Sequence, residues 1–214
     1  MRRYPRLPTL RAPTPGLLKR QWFMRLVPFA LALTVFACSS DVRPFHGVDI
    51  TGASYGQQWR LQDQDKASRS AQDYRGTWLL VYFGFTQCPD VCPLTLSHLR
   101  TALTGLGKDA SQVRVLFVTV DAENDTPEVM KTYLEPFGTR FTGLTGDAKA
   151  LDLAAKDFRV YAARKQNGAP GGAFEHAGFV YLLDPQGKPR LLYGPDATPE
   201  NVAEDLRRLI ATAS

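Results

Sequence analysis

Residues 78–93 read Trp-Leu-Leu-Val-Tyr-Phe-Gly-Phe-Thr-Gln-Cys-Pro-Asp-Val-Cys-Pro, an apolar run that leads into two cysteines. Uninterrupted apolar, β-branched and aromatic residues are typical of a strand that is buried on both faces of a sheet. Beyond the cysteines, leucines recur at helical spacing as far as Leu106, and Gly107 then predicts the end of that helix. The sequence therefore predicts a strand, a short segment with Cys88 and Cys92, and a helix in direct succession.

The rest of the chain continues to alternate between strands and helices. Further elements are predicted as a buried strand at 113–120, helices at 127–137 and 147–158, a hairpin of strands at 177–183 and 189–193, and a last helix from residue 199. Such alternation gives an α/β fold, and the late hairpin adds antiparallel strands. With a Cys-x-x-x-Cys pair after the first long strand, this order is similar to the thioredoxin-like arrangement: a mixed sheet flanked by helices with an added hairpin.

The first 37 residues differ from the rest of the chain in charge. They hold seven of the 26 Lys and Arg residues and no acid, so the remainder has 19 basic and 21 acidic residues. A nucleic-acid partner is therefore not expected, because it would need a basic face on the folded domain. Residues 26–37 are apolar but shorter than the roughly 20 residues of a membrane span. We interpret 1–37 as a secretory leader, with a start at Met24 as an alternative.

Cys38 follows directly after a Val-Phe-Ala ending that is similar to a bacterial lipobox. This predicts a lipid on Cys38, a lipidated tether at 38–51 and a folded domain at 52–214. An uncleaved anchor, or a signal cut elsewhere, is the alternative. Three cysteines are an awkward number in an oxidising compartment, and assigning Cys38 to lipid leaves two as a potential pair.

Cys88 and Cys92 stand four residues apart at a junction between strand and helix. If the segment is helical, positions i and i+4 share a face, close enough for a disulfide or for one shared metal ion. Unpaired N–H groups and the positive dipole end at a helix start favour the thiolate, so we expect thiol pKa values below the usual value of about 8.5. The simpler alternative is an inert structural disulfide.

His176 lies just before a buried strand and after the Gly-rich stretch at 167–172. A lone histidine at a strand edge is most often a polar surface residue. In a thioredoxin-like order, however, the start of that strand faces the cysteines, where an imidazole is able to supply a third ligand. Two thiolates and one imidazole form a soft site that favours Cu(I) and also accepts Cu(II) or Zn(II). His98 and His46 are interpreted as ordinary surface residues.

Three segments together resemble the signature of the Sco/SenC family of copper chaperones. They are residues 82–93 around the cysteines, 118–127 with Val-Thr-Val-Asp leading to Asp-Thr-Pro, and 176–185, where a histidine precedes Phe-Val-Tyr-Leu-Leu-Asp-Pro. The resemblance implies a copper site, for Cu(I) or Cu(II), formed by Cys88, Cys92 and His176. It also implies delivery of copper to the dinuclear centre of cytochrome c oxidase, and reduction of that centre's cysteines.

The same resemblance sets expectations for partners and location. We expect the copper-bearing subunit of the oxidase, other periplasmic copper carriers or thiol reductants, and the membrane as partners. The expected location is the periplasmic side of the bacterial cell membrane, with the lipid as anchor.

The chain departs from the family pattern beside its expected ligands. The usual Asp-Pro-x-Arg-Asp-Thr-Pro is here Asp121-Ala-Glu-Asn-Asp125-Thr-Pro, and the usual Asp-His-Ser is Glu-His-Ala around His176. Neighbours of the ligands tune metal affinity and redox balance, so these changes bear on both. Asp121 and Asp125 are expected to support the ligands from behind, although Asp125 is equally well interpreted as a helix cap.

Two other kinds of protein remain open at this point. An exported thiol–disulfide oxidoreductase would use Cys88 and Cys92 without metal, through thiolate attack and a mixed disulfide. A peroxidase-like relative would use one cysteine as the peroxide-reactive group. Pro89, three residues before Cys92, stands where such sites carry Thr or Ser, which argues against a peroxidase.

Overall fold

The computed structural model describes residues 44–160, 162–164, 174–176 and 178–213, with the backbone alone for 162–164 and 174–176. The strands in these residues are β1 (Val48–Asp49), β2 (Arg60–Asp63), β3 (Ser68–Ser70), β4 (Trp78–Gly84), β5 (Val113–Thr119), β6 (Phe141–Thr145), β7 (Ala162–Arg164), β8 (Phe174–His176), β9 (Val180–Leu183) and β10 (Pro189–Tyr193). The α-helices are α1 (Val91–Leu106), α2 (Pro127–Leu134), α3 (Ala148–Asp157) and α4 (Pro199–Ala213). Short 3₁₀ turns lie at Ala71–Tyr74, Gly107–Gln112 and Glu135–Phe137.

Eight of these strands form one sheet in the order β1-β10-β9-β4-β5-β6-β2-β3, and β7 pairs with β8 separately. The central strands β4, β5 and β6 are parallel, whereas β9 runs antiparallel to β4 and β10 antiparallel to β9. The predicted fold is thus confirmed: a mixed α/β sheet of the thioredoxin-like kind, with an added hairpin formed by β9 and β10.

Helices cover both faces of β4, which explains why its sequence is apolar without alternation. All seven residues of β4 are buried. Leu80 and Tyr82 lie in a cluster with side chains from α1, α2 and α4, whereas Val81 and Phe83 lie in a second cluster with α3. Burying one such side chain contributes about 1.5–3 kcal/mol, so both faces of this strand anchor the sheet.

The structure corrects the predicted boundary between tether and domain. Residues 44–51 lie on the domain, because β1 pairs with β10 and the backbone N–H groups of His46 and Gly47 donate to the buried Asp205 carboxylate at 3.0 and 2.9 Å. Eight residues are too few for a clear periodic signal, so the sequence alone does not indicate this docking. The leader and the lipidation site at Cys38 lie outside the described residues. Within the part that is described, no helix has the length and hydropathy to cross a bilayer.

The start of α1 differs from its predicted position in a way that matters for the cysteines. The sequence predicts a helix that starts beyond the cysteines, whereas the observed helix begins at Val91. Cys92 is therefore its second residue, whereas Cys88 lies in the loop that precedes the helix. The two cysteines do not share one helix face, and they meet only because the loop folds back.

Candidate functional site

The site lies at the edge of the sheet where the parallel strands β4 and β5 end. Parallel strands end at the same edge, and Gly84 and Thr119, the last residues of the two strands, lie in register. The backbone N–H of Val120 donates to the Gly84 carbonyl at 2.8 Å, which joins the two following loops at their base. Ligand sites in open α/β sheets lie at this carboxyl end of the strands, and here the edge carries both cysteines.

Cys88 and Cys92 are both free thiols in this structure, and both are buried. Cys92 is 0% exposed and Cys88 is 7% exposed, so the loop sulfur is the more accessible one. The two side chains hydrogen-bond each other. The backbone N–H of Cys88 also donates to the Phe85 carbonyl at 3.3 Å, which curls the loop toward the helix. The structure therefore brings together the two cysteines that the sequence paired.

The expected fall in thiol pKa is wrong for Cys92. Burial raises the pKa of the Cys92 thiol to about 12, and hydrogen bonds from Tyr82 and the Phe85 backbone offset that only in part. Desolvation outweighs the helix start because this sulfur is fully enclosed. The thiol of the metal-free protein is thus protonated at neutral pH, and a metal ion would have to displace that proton on binding.

A tyrosine and a glycine of β4 enclose the Cys92 sulfur. The Tyr82 hydroxyl donates to Cys92 Sγ at 3.5 Å, and the Tyr82 ring stacks on Phe117 with centroids 6.0 Å apart. A Cβ on Gly84 would lie 2.8 Å from the same sulfur. The sequence alone identified neither residue. A tyrosine in a buried strand was nevertheless a usable signal, because a buried hydroxyl needs a hydrogen-bond partner.

Tyr133 of α2 lies on the far side of Phe117, with ring centroids 5.7 Å apart. Its hydroxyl is buried and, among the described residues, has no hydrogen-bond partner. Burial raises the pKa of Tyr133, and the charges of Cys92, Cys88 and Asp125 add to the effect. This second hydroxyl is therefore within electrostatic range of the site without bonding to it.

Asp125 connects the cysteine loop to the loop after β5. Its carboxylate, 0% exposed, accepts hydrogen bonds from the Thr86 backbone N–H at 3.0 Å, from the Thr86 hydroxyl and from the Thr119 hydroxyl. Burial raises the pKa of this carboxyl, and the three hydrogen bonds lower it in part. The helix cap is the neighbouring Thr126, whose hydroxyl accepts from the Val129 N–H. Of the two interpretations of Asp125, the cap is wrong.

Asp121 is also buried, and it shapes the loop in which it lies. Its carboxylate accepts from the Asn124 side-chain amide at 2.7 Å, and its backbone N–H donates to the Thr119 hydroxyl at 2.9 Å. The same Thr119 hydroxyl donates to Asp125, so the two acids share one threonine. Asp121 thereby helps to fix the hydroxyl that Asp125 uses.

His176 ends β8, where its backbone lies opposite Ala162 of β7. Its side chain is outside the described part of the structure, so its role as a ligand stays a prediction. Among the side chains that are described, no three His, Cys, Asp or Glu groups come together to hold a metal ion. The next strand, β9, begins at Val180, which pairs with Tyr82 close to the cysteine edge.

Several known proteins are similar to this chain in sequence. A protein from Rickettsia felis named SCO2-like protein is 33% identical over 154 residues, which are 71% of this chain and 75% of that protein. Protein SenC of Rhodobacter capsulatus is 32% identical over 160 residues, 75% of this chain and 72% of its own length. A mitochondrial SCO2 homolog of Danio rerio is 37% identical, but the match spans 56% of that protein.

Solved structures resemble this chain in fold as well. ScoI of Bradyrhizobium japonicum with copper bound is 35% identical with a TM-score of 0.65, over 72% of this chain and 98% of that one. Yeast Sco1 with copper bound is 30% identical with a TM-score of 0.68, over 75% and 90% of the two chains. The family model described as SCO1/SenC matches residues 48–211, almost the whole described region. The chain belongs to the SCO1/SenC family.

Proposed function

We propose that this chain is a copper metallochaperone that serves the assembly of the dinuclear copper centre of cytochrome c oxidase and also reduces that centre's cysteines. The observation that carries the proposal is the contact between two free, buried thiols at the carboxyl end of β4. Soft thiolates favour Cu(I), and they also accept Zn(II). The copper-bound relatives from Bradyrhizobium japonicum and yeast support the same choice of metal.

Cys88, Cys92 and His176 are the three copper ligands in this proposal. His176 is supported by its distance along the chain: it lies four positions before Val180, which is beside Tyr82 at the cysteine edge. Four residues span at most about 14 Å, so the histidine backbone cannot be remote from that edge. Copper is here the cargo, and two sulfurs with one imidazole suit both Cu(I) and Cu(II).

Asp125 and Asp121 support these ligands without binding copper. Asp125 holds Thr86, two residues before Cys88, by the hydrogen bonds described above. Because the loop between Thr86 and Cys88 is short, fixing Thr86 limits where the Cys88 sulfur can lie. Asp121 orients the Thr119 hydroxyl on which Asp125 also depends. Supporting groups of this kind typically alter metal affinity by about 10–100-fold when they are removed.

The proposed location is the periplasmic face of the bacterial cell membrane, with a lipid on Cys38 as the anchor. The basic, acid-free leader and the apolar run that ends at Cys38 support export. Proposed partners are the copper-bearing subunit of the oxidase and other periplasmic copper carriers or thiol reductants. Mass spectrometry of the protein from membranes tests the anchor: a diacylated N-terminal Cys38 is expected, and an unmodified one contradicts it.

Copper binding by the purified full-length chain in detergent tests the ligand set. We expect about one copper per chain, and loss of binding in Cys88→Ser and Cys92→Ser, since each removes one soft ligand. His176→Ala is expected to weaken binding and to change the Cu(II) absorption spectrum. His98→Ala is the matched control, because His98 lies within α1 and is not proposed as a ligand. If His176→Ala keeps the affinity and spectrum of the wild type, the three-ligand site is wrong.

A deletion strain tests the biological role. Cytochrome c oxidase activity is expected to fall in the deletion and to return with the wild-type gene, but not with Cys88→Ser. Added copper is expected to restore part of the activity, because a chaperone matters most when its cargo is scarce. An oxidase of normal activity and normal copper content in the deletion strain contradicts the proposal.

A metal-free thiol–disulfide oxidoreductase is the second candidate, and the hydrogen bond between the two thiols favours it. In that reaction the Cys88 sulfur attacks a substrate disulfide and releases one substrate thiol. Cys92 then attacks the mixed disulfide, so the protein ends as a disulfide and the substrate as two thiols. Turnover by the metal-free protein that is lost in Cys88→Ser but unchanged in His176→Ala would favour this candidate over the chaperone.

A further inference from the structure

The two sulfurs of the site have different surroundings. Cys92 is fixed within the first turn of α1 and lies against β4, whereas Cys88 is in the preceding loop. The Tyr82 hydroxyl donates to the Cys92 sulfur at 3.5 Å. Tyr82 itself is 0% exposed on the central strand β4, so the surrounding packing holds its hydroxyl in place. The asymmetry is therefore a fixed part of the fold.

Thr95 is a second polar residue beside the Tyr82 hydroxyl. Thr95 is three residues after Cys92 on α1, so both side chains lie on the same helix face. The Thr95 side chain hydrogen-bonds the Tyr82 hydroxyl. Because the Tyr82 hydroxyl donates its one proton to the sulfur, its oxygen is left to accept from the Thr95 hydroxyl.

We propose that Tyr82, hydrogen-bonded to Thr95, is a positioning residue of the copper site that donates to the Cys92 thiolate and shifts the bound metal toward Cu(I). This inference rests on the proposed function. A hydrogen bond to a ligating sulfur draws electron density from it and weakens its donation to Cu(II) more than to Cu(I). Hydrogen bonds around a ligating cysteine are known to tune copper potentials in this way.

The experiment uses the full-length protein in detergent, loaded with Cu(II), and compares Tyr82→Phe with Tyr133→Phe. Tyr133→Phe is the matched control, because it removes a buried hydroxyl from the same aromatic stack that, among the described residues, has no hydrogen-bond partner. In Tyr82→Phe the sulfur-to-copper absorption band is expected to move to longer wavelength. The preference for Cu(I) over Cu(II) is expected to fall about tenfold, equal to about 59 mV for one electron.

Thr95→Val gives a second, independent variant in case Tyr82→Phe disturbs the fold. Its half-buried side chain keeps its shape but loses the donor, so a shift in the same direction and of smaller size is expected. An unchanged band and potential in Tyr82→Phe, or an equal shift in Tyr133→Phe, overturns this inference and leaves the proposed function standing. A wild-type protein that binds no copper overturns both.

Discussion

Replacement of Gly84 by alanine probes how closely the sheet is packed against the cysteine site. The added Cβ would lie 2.7 Å from Phe117 Cε2 and 2.8 Å from Cys92 Sγ, and real Cβ atoms essentially never approach closer than 3.0 Å. Neither neighbour yields easily, because both are 0% exposed and the Phe117 ring lies between Tyr82 and Tyr133. The substitution must therefore displace the sulfur, the ring or the strand.

The magnitude follows from this overlap. Overfilling a packed core costs about 1–3 kcal/mol. For a domain of about 150–250 residues, 1 kcal/mol corresponds to about 2–4 °C, so the melting temperature of Gly84→Ala is expected to fall by roughly 2–12 °C. Because one of the two clashes is with a proposed ligand, copper affinity is expected to fall as well, by about tenfold.

Thermal unfolding and copper titration of the full-length protein measure both effects. Gly105→Ala is the matched control: its Cβ would lie 3.7 Å from Ala203 Cβ, an ordinary contact, within helix α1. Alanine is favoured over glycine in a helix by about 0.5–1 kcal/mol, so this control is expected to be neutral or stabilising, with wild-type copper binding. If Gly84→Ala melts and binds copper like the wild type, the close packing described for this edge is wrong.

Three further predictions concern buried polar contacts. Asp125→Asn is expected to destabilise by about 1–3 kcal/mol, since it weakens the bonds from Thr86. Burial raises the pKa of Asp125 in the folded protein. The stability that this group adds is therefore complete below its unfolded pKa of about 3.9 and is lost as the pH rises through the folded pKa. Urea unfolding at several pH values should show that the difference in unfolding free energy between the wild type and Asp125→Asn becomes smaller over that rise in pH. Thr126→Ala removes the cap of α2 and should cost about 1 kcal/mol in the same assay, whereas Thr126→Ser should cost little. Asp205→Ala should cost about 3 kcal/mol or more and speed amide exchange at Gly47, and unchanged exchange there would contradict its role in docking 44–51.

The sequence predicts β4 and the cysteine pair because both are local features. Seven apolar residues in succession need two covered faces, and the cysteines follow directly after them. The same uniformity hides the contact between Tyr82 and Cys92. In a strand buried on one face only, alternation shows where each side chain points, but a strand buried on both faces carries no such signal. Which face Tyr82 uses is settled only when α1 packs against the sheet.

The supporting residues were harder to predict because their partners are distant in sequence. Asp125 and Thr126 are both able to cap a helix, and nothing local distinguishes them. Thr86, 39 residues earlier, makes the difference, because its N–H and hydroxyl donate hydrogen bonds to the Asp125 carboxylate. Docking of residues 44–51 depends in the same way on Asp205 in the last helix. The contact between Thr86 and Asp125 forms because the parallel strands β4 and β5 bring the loops that follow them to one edge of the sheet.

The difference in exposure between the two cysteines predicts the order in which the proposed site would exchange its ligands. Cys92 is enclosed, bonded by Tyr82 and backed by Gly84, so its sulfur is less accessible to another molecule than that of Cys88. Cys88 carries the more exposed sulfur. The loop that holds Cys88 is itself fixed by a hydrogen bond to the Asp125 carboxylate. An acceptor's ligand would therefore replace Cys88 before Cys92, since ligand exchange begins where the metal is accessible. A fixed inner thiol combined with a less enclosed outer one lets a carrier hold copper firmly and still release it.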